Sequence, residues 1–164
     1  MAQKLSSYIV QLIQDACLKS FWYKRALKSF LRRHHITEQS LAPLAGEQKR
    51  DYLYWLFDEL CKASDSRKYA LVMEMGRDLA SQTAFPDLAN VENSDQKMSE
   101  AREAVRLLAA ELRELDAKIE EQEERRVRRE KAADLKAQTI RTAQTLKTLR
   151  DRFEEELVPL LGTR

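Results

Sequence analysis

The sequence is poor in the residues that punctuate a chain. Among 164 residues there are three Gly and three Pro. A β-sandwich or barrel needs turn signals roughly every 8–12 residues, so an all-β fold is excluded. Cysteine is almost as scarce. Cys17 and Cys61 stand far apart, which rules out a disulfide framework and suits a reducing, cytoplasmic setting. No apolar run approaches the ~18–20 residues that span a bilayer. The start Met1-Ala2-Gln3-Lys4 lacks the apolar stretch and cleavage site of a secretory leader. Neither a membrane span nor a membrane partner is expected. An excess of one charge is missing too, with 29 basic against 27 acidic residues. That balance, with leucine and alanine recurring at helical spacing, excludes a disordered chain.

What the chain does have is helix-forming sequence, unevenly divided. Gly46, Gly76, Pro43 and Pro86 all lie within the first 86 residues, and from Asp87 through Val158 neither residue type occurs. These are the strongest local breakers of helix. The expected fold is therefore all-α: a compact bundle of about five short helices over residues 1–92, a long coiled-coil helix or helical hairpin over 93–158, and a short tail over 159–164.

In the first part, Leu5, Ile9, Leu12, Ile13, Ala16 and Cys17 trace one face of a first helix. Ser20 is placed to cap a second helix, whose stripe is Trp22, Ala26, Leu27, Phe30 and Leu31. Thr37 can cap a third turn ending before Pro43. A fourth helix after Gly46 turns Leu53, Leu56, Phe57 and Leu60 inward. A fifth, from near Ser66, carries Tyr69, Val72, Met73 and Leu79. Trp22, Tyr23, Tyr52, Tyr54 and Trp55 read as core and junction residues.

The second part starts with cap chemistry at Asn93, Asp95 and Gln96. Met98, Ala101, Val105, Leu108, Leu112, Leu115 and Ile119 then alternate at spacings of three and four, an a/d seam. From Glu120 to Lys131 every residue but Gln122 and Val127 is charged, with Glu121–Arg125 and Glu124–Arg128 in the favourable i, i+4 order. Leucine spacing resumes at Leu135, Leu146, Leu149, Phe153, Leu157 and Leu160. A narrow stripe on a single helix needs a cover, so a homo-oligomer through the long helix is expected, with Leu146, Leu149 and Phe153 continuing the seam. The charged stretch has no turn chemistry, which favours an intermolecular coiled coil over a folded-back hairpin.

Constellations that could carry chemistry are few. Lys24, Arg25, Lys28, Arg32 and Arg33 form a basic ridge that could contact nucleic-acid phosphates, or simply a solvated face. His34 and His35 are adjacent and point about 100° apart on a helix, a poor metal pair. Pro86-Asp87 with Asp95-Gln96-Lys97 imitates a nuclease motif, but that chemistry needs its acids and lysine on paired strands, and no strand pattern is present. Phosphate-binding glycine loops and a nucleophile elbow are absent. No catalytic residue, metal or cofactor is expected, and the N-terminal bundle is the candidate for recognising a protein partner.

Three stretches carry a resemblance: Phe21-Trp22-Tyr23-Lys24-Arg25-Ala26-Leu27 with Phe30-Leu31-Arg32; Lys49-Arg50-Asp51-Tyr52-Leu53 with Leu56-Phe57; and Phe85-Pro86-Asp87-Leu88 ahead of the Ser94-Asp95 helix start. Together they resemble the N-terminal helical region that precedes a restriction-endonuclease-like domain in some bacterial phage-defence proteins. The resemblance implies a charged coiled-coil linker at 93–158. It also implies a nuclease domain after a glycine-containing stretch like Leu160-Leu161-Gly162-Thr163. No nuclease residue of that family can be placed on this chain, which is then expected to be either an excised module or a stand-alone relative.

Overall fold

A computed structural model describes residues 5–62 and 65–162. The expectations for the N-terminal start and for Thr163 lie outside the described residues. The fold is all-α, a bundle of short helices followed by a long helix, and no strand occurs among the described residues. The helices are α1 (Ser7–Ser20), α2 (Lys24–Arg33), α3 (Glu38–Leu41), α4 (Lys49–Lys62), α5 (Ser66–Ala80), α6 (Ser94–Glu156) and α7 (Val158–Gly162). Single 3-10 turns occur at Ala42–Ala45 and Pro86–Leu88. The chain divides into two compact units, one reaching Asp116 and one from Ala117 onward, and α6 contributes to both.

Local chemistry explains most helix ends. The Ser6 hydroxyl accepts from the Ile9 amide and starts α1. Thr37 accepts from Ser40 at the head of α3, and Asp65 from Arg67 at the head of α5. The chain passes Pro43 by tightening into a 3-10 turn, where the missing amide hydrogen is no loss. Ser20 does not cap α2. It is the buried last residue of α1, and its hydroxyl has no hydrogen-bond partner among the described residues. The Asp87 carboxylate instead accepts from the amide of Tyr23, the residue just before α2, at 2.8 Å. Asn93 opens α6 with φ 56, a left-handed conformation that Asn tolerates better than most residues. Next to it the Ser94 hydroxyl donates to the Leu88 carbonyl at 2.6 Å.

The main core joins α1, α2, α4 and α5 through Ile13, Ala16, Cys17, Leu27, Phe30, Leu31, Tyr52, Leu56, Phe57, Met75 and Leu79. The start of α6 belongs to it. Ala104, Leu108 and Leu112 are buried in this core, with Leu115 packed at its margin. A second small cluster sets Ala101 and Val105 against Phe85 and Leu88, with Met98 and Val91 at its edge. The expected boundary at 92 therefore moves: the compact unit runs to Asp116, because a bundle of the first five helices alone leaves this apolar surface open. The seam from Met98 to Leu115 is covered within the same chain and does not wait for another copy.

Gly76 shows how tightly the helices meet. A Cβ there would lie 3.0 Å from Ile13 Cδ1 and 3.7 Å from Leu112 Cδ1, so α1, α5 and α6 converge on one residue without a side chain. Tyr52 fixes α4 to α3, its hydroxyl donating to the Ser40 carbonyl at 2.8 Å. The other aromatic expectations are corrected. Trp22, Tyr23, Tyr54 and Trp55 are exposed: the first two lie in the link between α1 and α2, and α4 buries Tyr52, Leu53, Leu56 and Phe57 and turns positions 54 and 55 the other way.

Two outcomes follow. Leu108→Ala should lower the unfolding free energy of the bundle by about 2–5 kcal/mol in a denaturant titration, as for any fully buried leucine. Burial pushes the Tyr52 hydroxyl up to about 12, while an unfolded tyrosine ionises near ~10. The fold holds the protonated form, so this contribution is complete below the unfolded value and is lost as pH rises toward about 12. Tyr52→Phe should cost about 1 kcal/mol at neutral pH and flatten that part of the alkaline decline.

Candidate functional site

The second unit carries the largest run of uncovered apolar side chains. Leu135, Leu146, Leu149 and Phe153 are 65%, 62%, 56% and 51% exposed on α6, followed by Leu157. With Thr139 and Thr142 the first four occupy alternating three- and four-residue steps, a heptad seam, while Leu157 and the exposed Ile140 lie off it. The threonine hydroxyls donate to the carbonyls of Leu135 and Gln138 four residues back, at 2.9 and 3.0 Å. Their polar atoms are satisfied inside their own helix and need no partner across a seam. Of the expected seam, then, Leu146, Leu149 and Phe153 are exposed, and Ile119 is half-buried. Met98, Ala101, Val105, Leu108, Leu112 and Leu115 belong to the bundle.

Between the two stripes, ion pairs hold the charged stretch helical. Glu121–Arg125 lies at 2.5 Å and Glu124–Arg128 at 3.6 Å, the two pairs expected from spacing. Arg126 adds bonds to Glu123 and to Glu130. Each such exposed pair contributes only a few tenths of a kcal/mol. Their effect is to keep a segment without apolar burial in the helix.

The basic ridge is on the surface of the first unit, partly engaged by its own chain. Arg32 makes a two-point contact with Glu38, at 2.5 and 3.1 Å, and this hydrogen bonding holds the Glu38 carboxyl below its ordinary range. Arg33 sits 3.6 Å from Asp78. Lys24 reaches the Ala45 carbonyl at 3.4 Å. Arg25 is exposed and Lys28 half-exposed.

A cluster around Trp22 was invisible to local patterning, because its members come from distant segments. Lys97 Nζ lies 3.7 Å from the Trp22 ring centre and Lys49 Nζ lies 5.3 Å from it. Lys49 also donates to the carbonyls of Phe21 and Trp22, at 2.8 and 2.5 Å. Burial lowers the Lys49 pKa, Asp87 opposes that shift, and Lys24 adds to it. The cluster clamps the α1–α2 junction against α4 and the start of α6. Asp87 accepts from the Tyr23 amide and Asp95 lies in the first turn of α6, which leaves the apparent nuclease motif without its geometry.

The two histidines differ in burial. His34 is buried, its Nε2 2.7 Å from Asp78 Oδ2 and its ring against Phe30. His35 is exposed, with φ 61. No group of three or more His, Cys, Asp or Glu able to hold a metal occurs among the described residues. No described helix is long and apolar enough to cross a membrane.

The cysteines differ in access. Cys17 is fully buried and burial raises its thiol pKa far above the ordinary value. Cys61 is exposed at the end of α4, its pKa raised by partial desolvation and by Asp58. The native protein should consume one equivalent of an aromatic disulfide reagent, at Cys61 and more slowly than free cysteine. The second equivalent should react only after denaturation. No protein-family model matches the sequence, and no curated protein or solved structure is significantly similar to it.

Proposed function

We propose that the chain is a non-catalytic helical module that self-associates through the C-terminal part of α6, while its N-terminal bundle recognises a protein partner or positions a neighbouring effector domain. The resemblance to the region ahead of the restriction-endonuclease-like domain in bacterial phage-defence proteins supplies a setting for such a role. The observation that carries the reading is the exposure of Leu135, Leu146, Leu149 and Phe153 in one heptad stripe. Each large apolar side chain gains roughly 1.5–3 kcal/mol on full burial. Over two copies, that gain is on the scale of the roughly 4–15 kcal/mol that association costs in lost freedom. A concentration-dependent oligomer is the expected result.

Nucleic-acid contact through the basic ridge is the weaker reading. Arg32 and Arg33 face Glu38 and Asp78, which leaves mainly Lys24, Arg25 and Lys28 to meet phosphates. With fewer cations free to neutralise phosphates, fewer counterions are released, and that release is what drives such binding.

Sedimentation equilibrium at micromolar concentration tests the leading reading. The chain should sediment as a dimer or larger species, and Leu149→Lys should return it to monomer at the same concentration, since a charge would have to be desolvated in the seam. A monomeric parent chain at high micromolar concentration would count against self-association.

A further inference from the structure

We infer that the second copy lies antiparallel along residues 138–157, with Leu146 of each protomer opposite Leu149 of the other and Phe153 opposite Thr142. This rests on the self-association reading and adds to it an orientation and a register. In the heptad, Thr139, Leu146 and Phe153 take a positions, and Leu135, Thr142, Leu149 and Glu156 take d positions.

A parallel, in-register pair places every residue beside its own copy. Glu156 would then face Glu156 in the seam, flanked by Glu154 and Glu155. Toward the other end the same register carries Arg125 to an a position and Arg128 to a d position, each against itself, and sets Lys131 beside Lys136. Like charges directly across a seam repel, and desolvating them adds to the cost. The shapes match poorly as well, since two bulky Phe153 rings share one layer while two layers hold only threonine.

Reversing one helix relieves each conflict. Phe153 fills the space opposite Thr142, whose hydroxyl is already bonded to Gln138. Glu156 comes opposite Thr139 and keeps its own-helix ion pair with Arg152, 3.5 Å away. The three glutamates lie at the height of Arg141 in the other copy. Arg150 and Arg152 flank Ala143 and Thr145, and Lys136 lies along Leu157. Arg125 and Arg128 fall outside the overlap. Leucine meets leucine at the centre, Phe153 meets a threonine, and no like-charged pair faces across the seam.

Spin-label distances on the full chain, in a Cys61→Ser background, test this inference. One sample carries a label at Asp134→Cys and another at Lys147→Cys, both exposed positions off the seam. In the antiparallel register the Lys147 labels sit at nearly the same height, roughly 20 Å apart across two helices. The Asp134 labels are displaced by about 40 Å along the axis at 1.5 Å per residue. Equal distances in both samples from a dimer that sediments as one would overturn the antiparallel arrangement and leave self-association standing. A labelled and unlabelled chain that both sediment as monomers would remove self-association and this inference together.

Discussion

The insertion of the first turns of α6 into the bundle is the contact on which the rest of the structure depends. Ala101, Ala104, Val105, Leu108 and Leu112 are each less than a tenth exposed, and they reach two clusters at once. Leu108 and Leu112 complete the core built by α1, α4 and α5, while Ala101 and Val105 close over Phe85 and Leu88. The alanines allow close approach, and Gly76 on α5 allows it from the other side, with Ile13 and Leu112 meeting over the missing side chain. Helices pack at separations set by the side chains between them. Larger residues at these positions would hold α6 off and reopen the core. The small residues of this seam are what a tight intramolecular joint needs.

That joint explains which part of the fold was legible in the sequence. The helical class followed from scarce breakers and from periodicity, and the seam residues stood out at once by spacing. What spacing cannot encode is the identity of the covering surface. Leu108 and Leu149 occupy equivalent-looking positions in alternating three–four patterns, yet one has no exposed surface and the other is more than half exposed. A composition clue separates them. The buried stretch mixes large residues with Ala101 and Ala104, as a helix wedged among several neighbours requires, whereas the exposed stretch sets Thr139 and Thr142 between leucines.

The misplaced details share a different cause. Ser20 had the right chemistry for a cap, but the carboxylate that meets the chain just before α2 is that of Asp87, 64 residues from Tyr23. Trp22 looked like core and is instead held over the surface by Lys49 and Lys97. Both involve contacts between segments that no local window joins. The same applies to the basic ridge, where helix spacing placed Lys24, Lys28 and Arg32 on one face. Only the tertiary structure brings Asp78 to Arg33 and His34. Positive charge along a sequence overstates positive charge on a surface whenever acids from other elements fold against it.

The charged stretch between the two stripes has a role that its small individual pair energies conceal. Exposed i, i+4 pairs add little stability each, and a helix without tertiary burial is marginal in water. The segment from Glu120 to Lys131 has no apolar face to bury, so helicity there depends on Glu121–Arg125, Glu124–Arg128 and the Arg126 contacts acting together. It also separates the stripes by register. The seam that ends at Ile119 and the one that begins at Leu135 are one heptad position out of step, so a single partner helix following a 3.5-residue repeat does not cover both without a break in its own pattern. With the first stripe already buried by the bundle, the second is available to a different surface. One helix is in this way core at its beginning and carries an exposed apolar stripe at its end.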